Sequence, residues 1–295
     1  MNLEPLLYWV QEREAIRKKK EAGLREPWTN DPILQKYRFC NVRRSDDRVS
    51  KWIIKWILPP SGMNVTVLDI PEFDDWLRFT ALARWVNWPP TLHKILAASP
   101  PPKALDWEAI GSIIDQRCSS GEKAWTGAYM VRAKPKGSTS GKGHFIAVDV
   151  VQGMTPHLPA IKEALKTGVR ENVWHALRKA KNFGSFMAGQ IVADWGYTPL
   201  LKNASDTYTW APQGPGSVRG LNRLLGRPYK TKFKDEDFCS YLRFTRNHLI
   251  ERLGKEYKDL TLHDVQSCMC EYDKYARAVS GEGRPRSTYK PETAF

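Results

Sequence analysis

The residues best suited to chemistry fall in one stretch, Lys181 to Gly226, which combines a loop carboxylate, closely spaced glycines and basic side chains. The carboxylate is Asp206. A turn from Gly214 to Gly216 follows and precedes a predicted helix that carries Arg219 and Arg223. Free backbone N–H groups at the start of a helix, together with guanidinium groups, bind phosphates. The stretch therefore predicts a phosphate-binding site, although an Asx turn is an alternative explanation for the aspartate.

The charge of the chain indicates which partner carries that phosphate. The 295 residues have a net charge of +14 and a pI near 9.5, and Trp174 to Lys234 holds ten Lys or Arg against two Asp. A positive field of this size attracts polyanions in a salt-dependent way. Nucleic acid is the expected partner.

Cysteine usage and hydropathy predict a cytoplasmic protein. The cysteines number five, form no CxxC pair and suggest free thiols in a reducing compartment. The longest apolar stretches are too short to cross a bilayer, so no membrane is expected as a partner. A zinc site is an alternative use of four residues in the last third of the chain, which are Cys239, His263, Cys268 and Cys270.

The elements around the stretch are predicted to be helices in a single, mainly α catalytic domain over residues 1–295. Asn182 to Gly184 make the turn of a helix hairpin, with Gly184 at positive φ and Ser185 as the cap of the next helix. A small β-hairpin excursion is predicted over about 123–151, with "AWTGAYMV" and "HFIAVDVV" as its strands. A flexible basic tail is predicted over about 281–295.

A second set of charges lies earlier in the chain, where one predicted helix carries Arg43, Arg44, Asp47 and Arg48. Charges of opposite sign one helical turn apart are typical of ion pairs within the helix. By spacing alone, this structural explanation is preferred to a functional one.

The succession of hairpin, loop aspartate and glycine turn resembles the helix-hairpin-helix DNA glycosylases. That resemblance implies a glycosylase-like helical fold in which the hairpin grips the DNA backbone through Lys181, Phe183, Gly184 and Ser185. It also implies that Asp206 serves a flipped base. The sequence departs from the family in its hairpin turn, which has Gly184 where two glycines are usual.

Several longer motifs resemble a bacteriophage family that hypermodifies thymidine. They are "EREAIRKKKEAG", "EPWTNDPILQKYRFCNVRRSDDRVSKWI", "FGSFMAGQIVADW", "GPGSVRGLNRL" and "CEYDKYARAVSGEGRPR", in that order. The family comprises the α-glutamyl or putrescinyl thymine pyrophosphorylases, with the amino acid:DNA transferases as one branch. The helical domain of the 5-hydroxymethyluracil DNA kinases is a sister branch.

The resemblance implies a reaction in which an amino acid amine displaces pyrophosphate from pyrophosphorylated 5-hydroxymethyluracil in double-stranded DNA. The implied partners are that DNA and a free amino acid, with no cofactor other than an optional Mg²⁺. The implied roles are Asp206 or Asp47 as general base; Arg219, Arg223, Arg43, Arg44, Arg48, Gly214 and Gly216 for pyrophosphate; Gln190 and Asn222 for the base; and Lys274 and Arg277 for the amino acid carboxylate. Alternatives are a helical domain or partner of a 5-hydroxymethyluracil DNA kinase, and a non-catalytic protein that presents flipped bases.

Overall fold

The structure is a computed structural model that describes residues 1–58, 71–98, 105–126, 140–285 and 287–289. Within these residues the chain is helical, and its β structure is limited to one isolated bridge between Tyr37 and Thr288. The predicted mainly α fold is confirmed. The α-helices are α1 (Glu4–Glu21), α2 (Pro32–Lys36), α3 (Arg48–Trp56), α4 (Pro71–Val86), α5 (Pro89–Ala98), α6 (Trp107–Ser119), α7 (Lys142–His144), α8 (Leu158–Lys166), α9 (Arg170–Leu177), α10 (Ser185–Trp195), α11 (Pro215–Leu224), α12 (Asp235–Leu253) and α13 (Leu262–Val279).

The chain folds into two compact units. The first comprises Met1–Asp47 and the chain from Thr207 onward, which brings α1 and α2 together with α11 to α13. The second comprises Arg48–Asp206 and contains α3 to α10. The stretch from Lys181 to Gly226 is therefore divided between the units after Asp206. A single catalytic domain over residues 1–295 stays a prediction.

Two glycines allow α11 and α13 of the first unit to pack at very short range. A Cβ atom on Gly216 would lie 2.3 Å from the Sγ atom of Cys270, and one on Gly220 would lie 2.1 Å from the backbone oxygen of Met269. Residues four apart share a helix face, so both glycines meet α13 along one line. Only glycine fits this contact at either position.

The opposite face of α13 fixes a loop, Cys40 to Asp47, that contains no helix before Arg44. Three side chains of α13 bond to its backbone: Asp264 accepts from the N–H of Arg44 (2.9 Å), Cys268 contacts the carbonyl of Val42 (3.5 Å), and Glu271 accepts from the N–H of Cys40 (2.9 Å). The bonded loop residues are two apart, and the bonded residues of α13 are about one turn apart. Two extended residues advance about 6.6 Å and one helical turn advances about 5.4 Å, so successive bonded loop residues lie opposite successive turns of α13.

The predicted helix that carries Arg43, Arg44 and Asp47 is wrong over these residues. Only a single 3-10 turn, Arg44–Asp46, forms before α3 begins at Arg48. The physical reason is that side chains of α13 accept the backbone N–H groups of Cys40 and Arg44. In a helix, such N–H groups would donate to backbone carbonyls of the helix itself.

A buried ion pair organises the second unit. The guanidinium of Arg84 binds both carboxylate oxygens of Asp194, at 2.5 and 2.7 Å, and both side chains are almost fully buried. Arg84 also donates to Asn87 and Ser50, at 3.0 and 2.9 Å. Burial of an ion pair is tolerated when further hydrogen bonds satisfy its remaining donors. Asp194 is therefore a structural residue of the core.

The predicted strand "HFIAVDVV" is helical. Its residues continue from α7 as a π-helix, Phe145–Val151, which is followed by a 3-10 helix, Gln152–His157, and by α8. Asp115 caps this helical segment, because its carboxylate accepts the N–H groups of Gly143 and His144 at 2.6 and 3.0 Å. A helical segment that is buried on several sides has a continuous apolar sequence, and periodicity alone cannot distinguish that sequence from a buried strand. Most of the other predicted strand lies outside the described residues.

Part of the predicted flexible tail is ordered. The N–H of Arg38 donates to the carbonyl of Ser287 at 3.0 Å, and the N–H of Tyr289 donates to the carbonyl of Lys36 at 2.9 Å. The ring of Tyr289 also meets that of Trp28, with centroids 5.9 Å apart. This short pairing contributes the isolated bridge of the fold. The remainder of the predicted tail beyond Tyr289 lies outside the described residues.

We expect Gly220→Ala to destabilise the protein by about 1–3 kcal/mol, because the new methyl group meets the backbone of α13. This loss should exceed the gain of about 1 kcal/mol that alanine brings to a helix interior. Gly153→Ala is the matched control, since Gly153 also lies inside a helical segment and its Cβ would come no closer than 3.7 Å, to the carbonyl oxygen of Val148. Urea unfolding measures both. Equal stability of the two variants would contradict the close approach of α11 and α13.

Candidate anion-binding site

Three arginines of the first unit converge on one buried carboxylate, that of Asp273, whose side chain is 1% exposed. The Nε atoms of Arg219 and Arg277 lie 2.9 and 3.2 Å from Oδ2, and the Nε atom of Arg223 lies 3.0 Å from Oδ1. Arg219 and Arg223 stand one turn apart on α11, and Asp273 and Arg277 one turn apart on α13. We call these four residues the arginine cluster.

Two of the three arginines keep part of their hydrogen-bonding capacity. Arg223 is fully engaged, because it also pairs with Glu282 and lies over the ring of Tyr229, 4.0 Å from its centroid. Arg219 and Arg277 are 35% and 34% exposed. In the described part of the chain, Arg219 donates to Asp273 through Nε, whereas the Nε of Arg277 lies close to the same carboxylate without a hydrogen bond. The terminal nitrogens of both arginines make no hydrogen bond there. Two oriented guanidinium groups with free donors suit a phosphate or pyrophosphate.

The cluster unites two sets of residues to which the sequence gives different roles. Arg219 and Arg223 were predicted together for pyrophosphate, whereas Arg277 was predicted for an amino acid carboxylate. The glycines beside them have structural functions here. Gly214 precedes α11, and its N–H donates to the hydroxyl of Ser217 at 3.1 Å. Gly216 lies within α11 against α13, which explains a glycine there without any ligand.

Asp206 caps a helix. Its two carboxylate oxygens accept the N–H groups of Arg170 and Glu171, each at 2.9 Å, at the start of α9 in the second unit. A carboxylate at this position also complements the positive end of the helix dipole. The residue is thus bonded to backbone, as in the Asx alternative, but to a helix 35 and 36 residues away in sequence. The geometry favours a structural role, and the general-base role stays a prediction.

Asp47 has the acid–base property expected of a general base. It is partly buried and accepts the N–H of Asn41 at 2.8 Å. Burial raises the pKa of its carboxyl to about 6, with Glu271 adding to this effect and Arg44 and Arg13 opposing it. A proton acceptor works best when its pKa lies near the working pH. The loop of Asp47, however, packs on the face of α13 opposite to Asp273, so these two carboxylates do not share one site.

Three further arginines were predicted for pyrophosphate, and each has its own surroundings. Arg43 binds the carboxylate of Asp259 at 2.8 Å and lies over the ring of Tyr257, 5.3 Å from its centroid. The hydrogen bond to Asp259 raises the pKa of Arg43. Arg44 is buried, and Arg48 begins α3 in the second unit. Their use in pyrophosphate binding stays a prediction.

The predicted hairpin turn lies between α9 and α10, and its conformation differs from the expected one. Helices α9 and α10 pack together, and the residue with positive φ is Asn182, at 73°, instead of Gly184. Gly184 is extended and occupies the N-cap position that was predicted for Ser185. Phe183 is buried edge-on against Trp85, with centroids 6.0 Å apart, while Lys181 is exposed. The DNA-gripping role of the hairpin stays a prediction.

The residues predicted for the base and the amino acid have protein partners. Asn222 is fully buried and donates to the carbonyls of Tyr229 and Thr231, at 3.1 and 2.9 Å. Gln190 is also buried, within α10. Lys274 pairs with Glu271 at 2.5 Å. Their predicted roles are not tested by these contacts.

The four residues considered for zinc do not assemble. No group of three or more His, Cys, Asp or Glu side chains able to hold a metal exists among the described residues, and Cys239, His263, Cys268 and Cys270 all belong to them. Cys239 and Cys268 instead contact the carbonyls of Ala211 and Val42.

No described helix combines the length and hydropathy of a membrane-crossing segment.

Comparison with known proteins gives the chain a family. The family described as "5-hmdU DNA kinase, helical domain" matches residues 2–284. The chain belongs to this family. A relative, the 5-hmdU DNA kinase of Bacillus phage SP10, is 27% identical over 274 residues, an alignment that covers 86% of this chain and 41% of the relative. The chain therefore spans less than half the length of that kinase. No solved structure matches.

We expect Asp47→Asn to stabilise the protein at neutral pH. A carboxyl whose folded pKa is raised to about 6 favours folding below its unfolded pKa of about 4, and this contribution is lost as the pH rises through 6. Asparagine mimics the protonated form, so the variant should gain about 1–3 kcal/mol above pH 7 and nothing near pH 3.5. Urea unfolding across pH measures this. A gain that is independent of pH would contradict the raised pKa.

Proposed function

We propose that this chain acts on 5-hydroxymethyluracil or its phosphorylated derivatives in double-stranded DNA, and that the arginine cluster holds the phosphate groups attached to the modified base. Family membership supports the base and the polymer. The charge of +14 supports a polyanionic partner. The observation that carries the proposal is the pair of part-exposed guanidinium groups of Arg219 and Arg277, oriented by Asp273.

The reaction that we propose is displacement of pyrophosphate by an amine. The nitrogen of a free amino acid forms a bond to the methylene carbon on C5 of the uracil, and the bond from that carbon to the pyrophosphate oxygen breaks. Pyrophosphate leaves with the electron pair, and the ammonium nucleophile loses one proton to a base. Cations that bind the leaving group more tightly as its charge develops lower the barrier. In this proposal, Arg219 and Arg277 perform that task.

The second candidate is the function of a kinase helical domain, which binds the DNA and presents 5-hydroxymethyluracil for phosphorylation. The family and the relative from Bacillus phage SP10 favour it. In this case the arginine cluster would receive the phosphate that has just been transferred. Both candidates use the same anion site, and they differ in whether a phosphate group is gained or lost.

Nucleoside mass spectrometry separates the two candidates. The protein is incubated with pyrophosphorylated 5-hydroxymethyluracil DNA and each amino acid, and in parallel with 5-hydroxymethyluracil DNA and ATP. We expect an aminomethyl-linked nucleoside and released pyrophosphate in the first reaction. A phosphorylated nucleoside in the second reaction alone would replace our proposal by the kinase function. The absence of product from both reactions would contradict the transfer, and binding of the protein to 5-hydroxymethyluracil DNA would then test the presenting role.

Variants connect that chemistry to the arginine cluster. Arg219→Gln should lower the transfer rate by about 10²-fold, because a positioned charge donor to the leaving group is lost. Arg252→Gln is the matched control, since Arg252 is an exposed arginine that pairs with Glu4 and lies in the last turn of α12. An equal rate for Arg219→Gln and the control would remove the arginine cluster from the mechanism.

A further inference from the structure

The segment from Arg227 to Lys234 has a backbone that protein amides hold on one side. The side-chain amide of Asn222 donates to the carbonyls of Tyr229 and Thr231, at 3.1 and 2.9 Å. The side-chain amide of Gln213 donates to the carbonyl of Phe233 at 3.2 Å. The bonded carbonyls thus belong to every second residue. The segment also contains a turn, in which the N–H of Thr231 donates to the carbonyl of Pro228 at 2.9 Å.

Side chains of the segment differ in their exposure. Phe233 is half-buried, and its ring meets those of Phe238 and Tyr241 at centroid distances of 6.0 and 5.9 Å. An exposed lysine follows each bonded residue, and we call the three the lysine comb: Lys230, Lys232 and Lys234. None of the three has an ion pair in the part of the chain that the structure describes.

The lysine comb offers positive charge to the backbone of DNA. Its three ammonium groups belong to five consecutive residues and are exposed, as a contact with phosphates requires. Because the backbone is already held by Asn222 and Gln213, little ordering remains to oppose binding. The first turn of α12, with Asp235, Glu236 and Asp237, ends the positive surface on one side.

On its other side the lysine comb is connected to the arginine cluster. Tyr229, next to Lys230, lies under the guanidinium of Arg223 and donates its hydroxyl to Glu282 at 3.2 Å. We propose that the lysine comb binds phosphates of one strand of double-stranded DNA and leads that strand to the arginine cluster. This inference rests on the proposed function, because it takes DNA as the partner.

Salt-dependent binding tests the lysine comb. Lys230→Gln, Lys232→Gln and Lys234→Gln are combined in one variant, and its affinity for an unmodified DNA duplex is measured by fluorescence anisotropy between low and physiological salt. Each lost phosphate contact reduces the slope of log K against log salt by about 0.9, so three contacts reduce it by about 2.7. Replacing the same lysines by arginine should preserve the slope.

A triple variant of equal charge is the control: Lys18→Gln, Lys255→Gln and Lys258→Gln, three exposed lysines elsewhere in the first unit. We expect it to keep the wild-type slope. Equal slopes for the two glutamine variants would overturn the lysine comb. Binding to unmodified DNA requires no reaction, so this result leaves the proposed chemistry to its own test, and a failure of that chemistry leaves the slope comparison unchanged.

Discussion

The first unit depends on the short contact between α11 and α13. Gly216 and Gly220 remove the Cβ atoms that would otherwise keep the helices apart. At this separation, the arginines on α11 reach the buried carboxylate of Asp273 on α13. The carboxylate in turn compensates guanidinium groups that would otherwise repel one another. Close packing and charge therefore explain each other, and the anion-binding geometry follows from a packing constraint.

Helix α13 also separates two kinds of chemistry. On one face, Asp273 lies beside arginines that suit phosphate. On the opposite face, Asp264, Cys268 and Glu271 hold the loop that contains Asp47. Burial raises the pKa of the Asp47 carboxyl to about 6. The proposed anion site and the carboxyl group of raised pKa thus lie on different surfaces of the same unit. A phosphate-binding role needs only the first of these surfaces.

The sequence predicts what local rules control. The helical class is confirmed. The grouping of Arg219 with Arg223 follows from helical spacing. Long-range bonds could not be predicted: Asp206 caps a helix far away in sequence, and side chains of α13 bind the backbone N–H groups of Cys40 and Arg44. Asp273 was visible only as a charge one turn before Arg277, and its burial depends on glycines in another helix.

If Arg219 and Arg277 form an anion site beside Asp273, the protein should bind inorganic pyrophosphate. Isothermal titration calorimetry should detect binding to the wild type, and Arg219→Gln with Arg277→Gln should weaken it by at least about 100-fold, since each charged hydrogen bond contributes about 1.5–3 kcal/mol. A folded Lys255→Gln/Lys258→Gln variant should bind as the wild type does. Undiminished binding to the double arginine variant, or no binding to the wild type, would contradict the account.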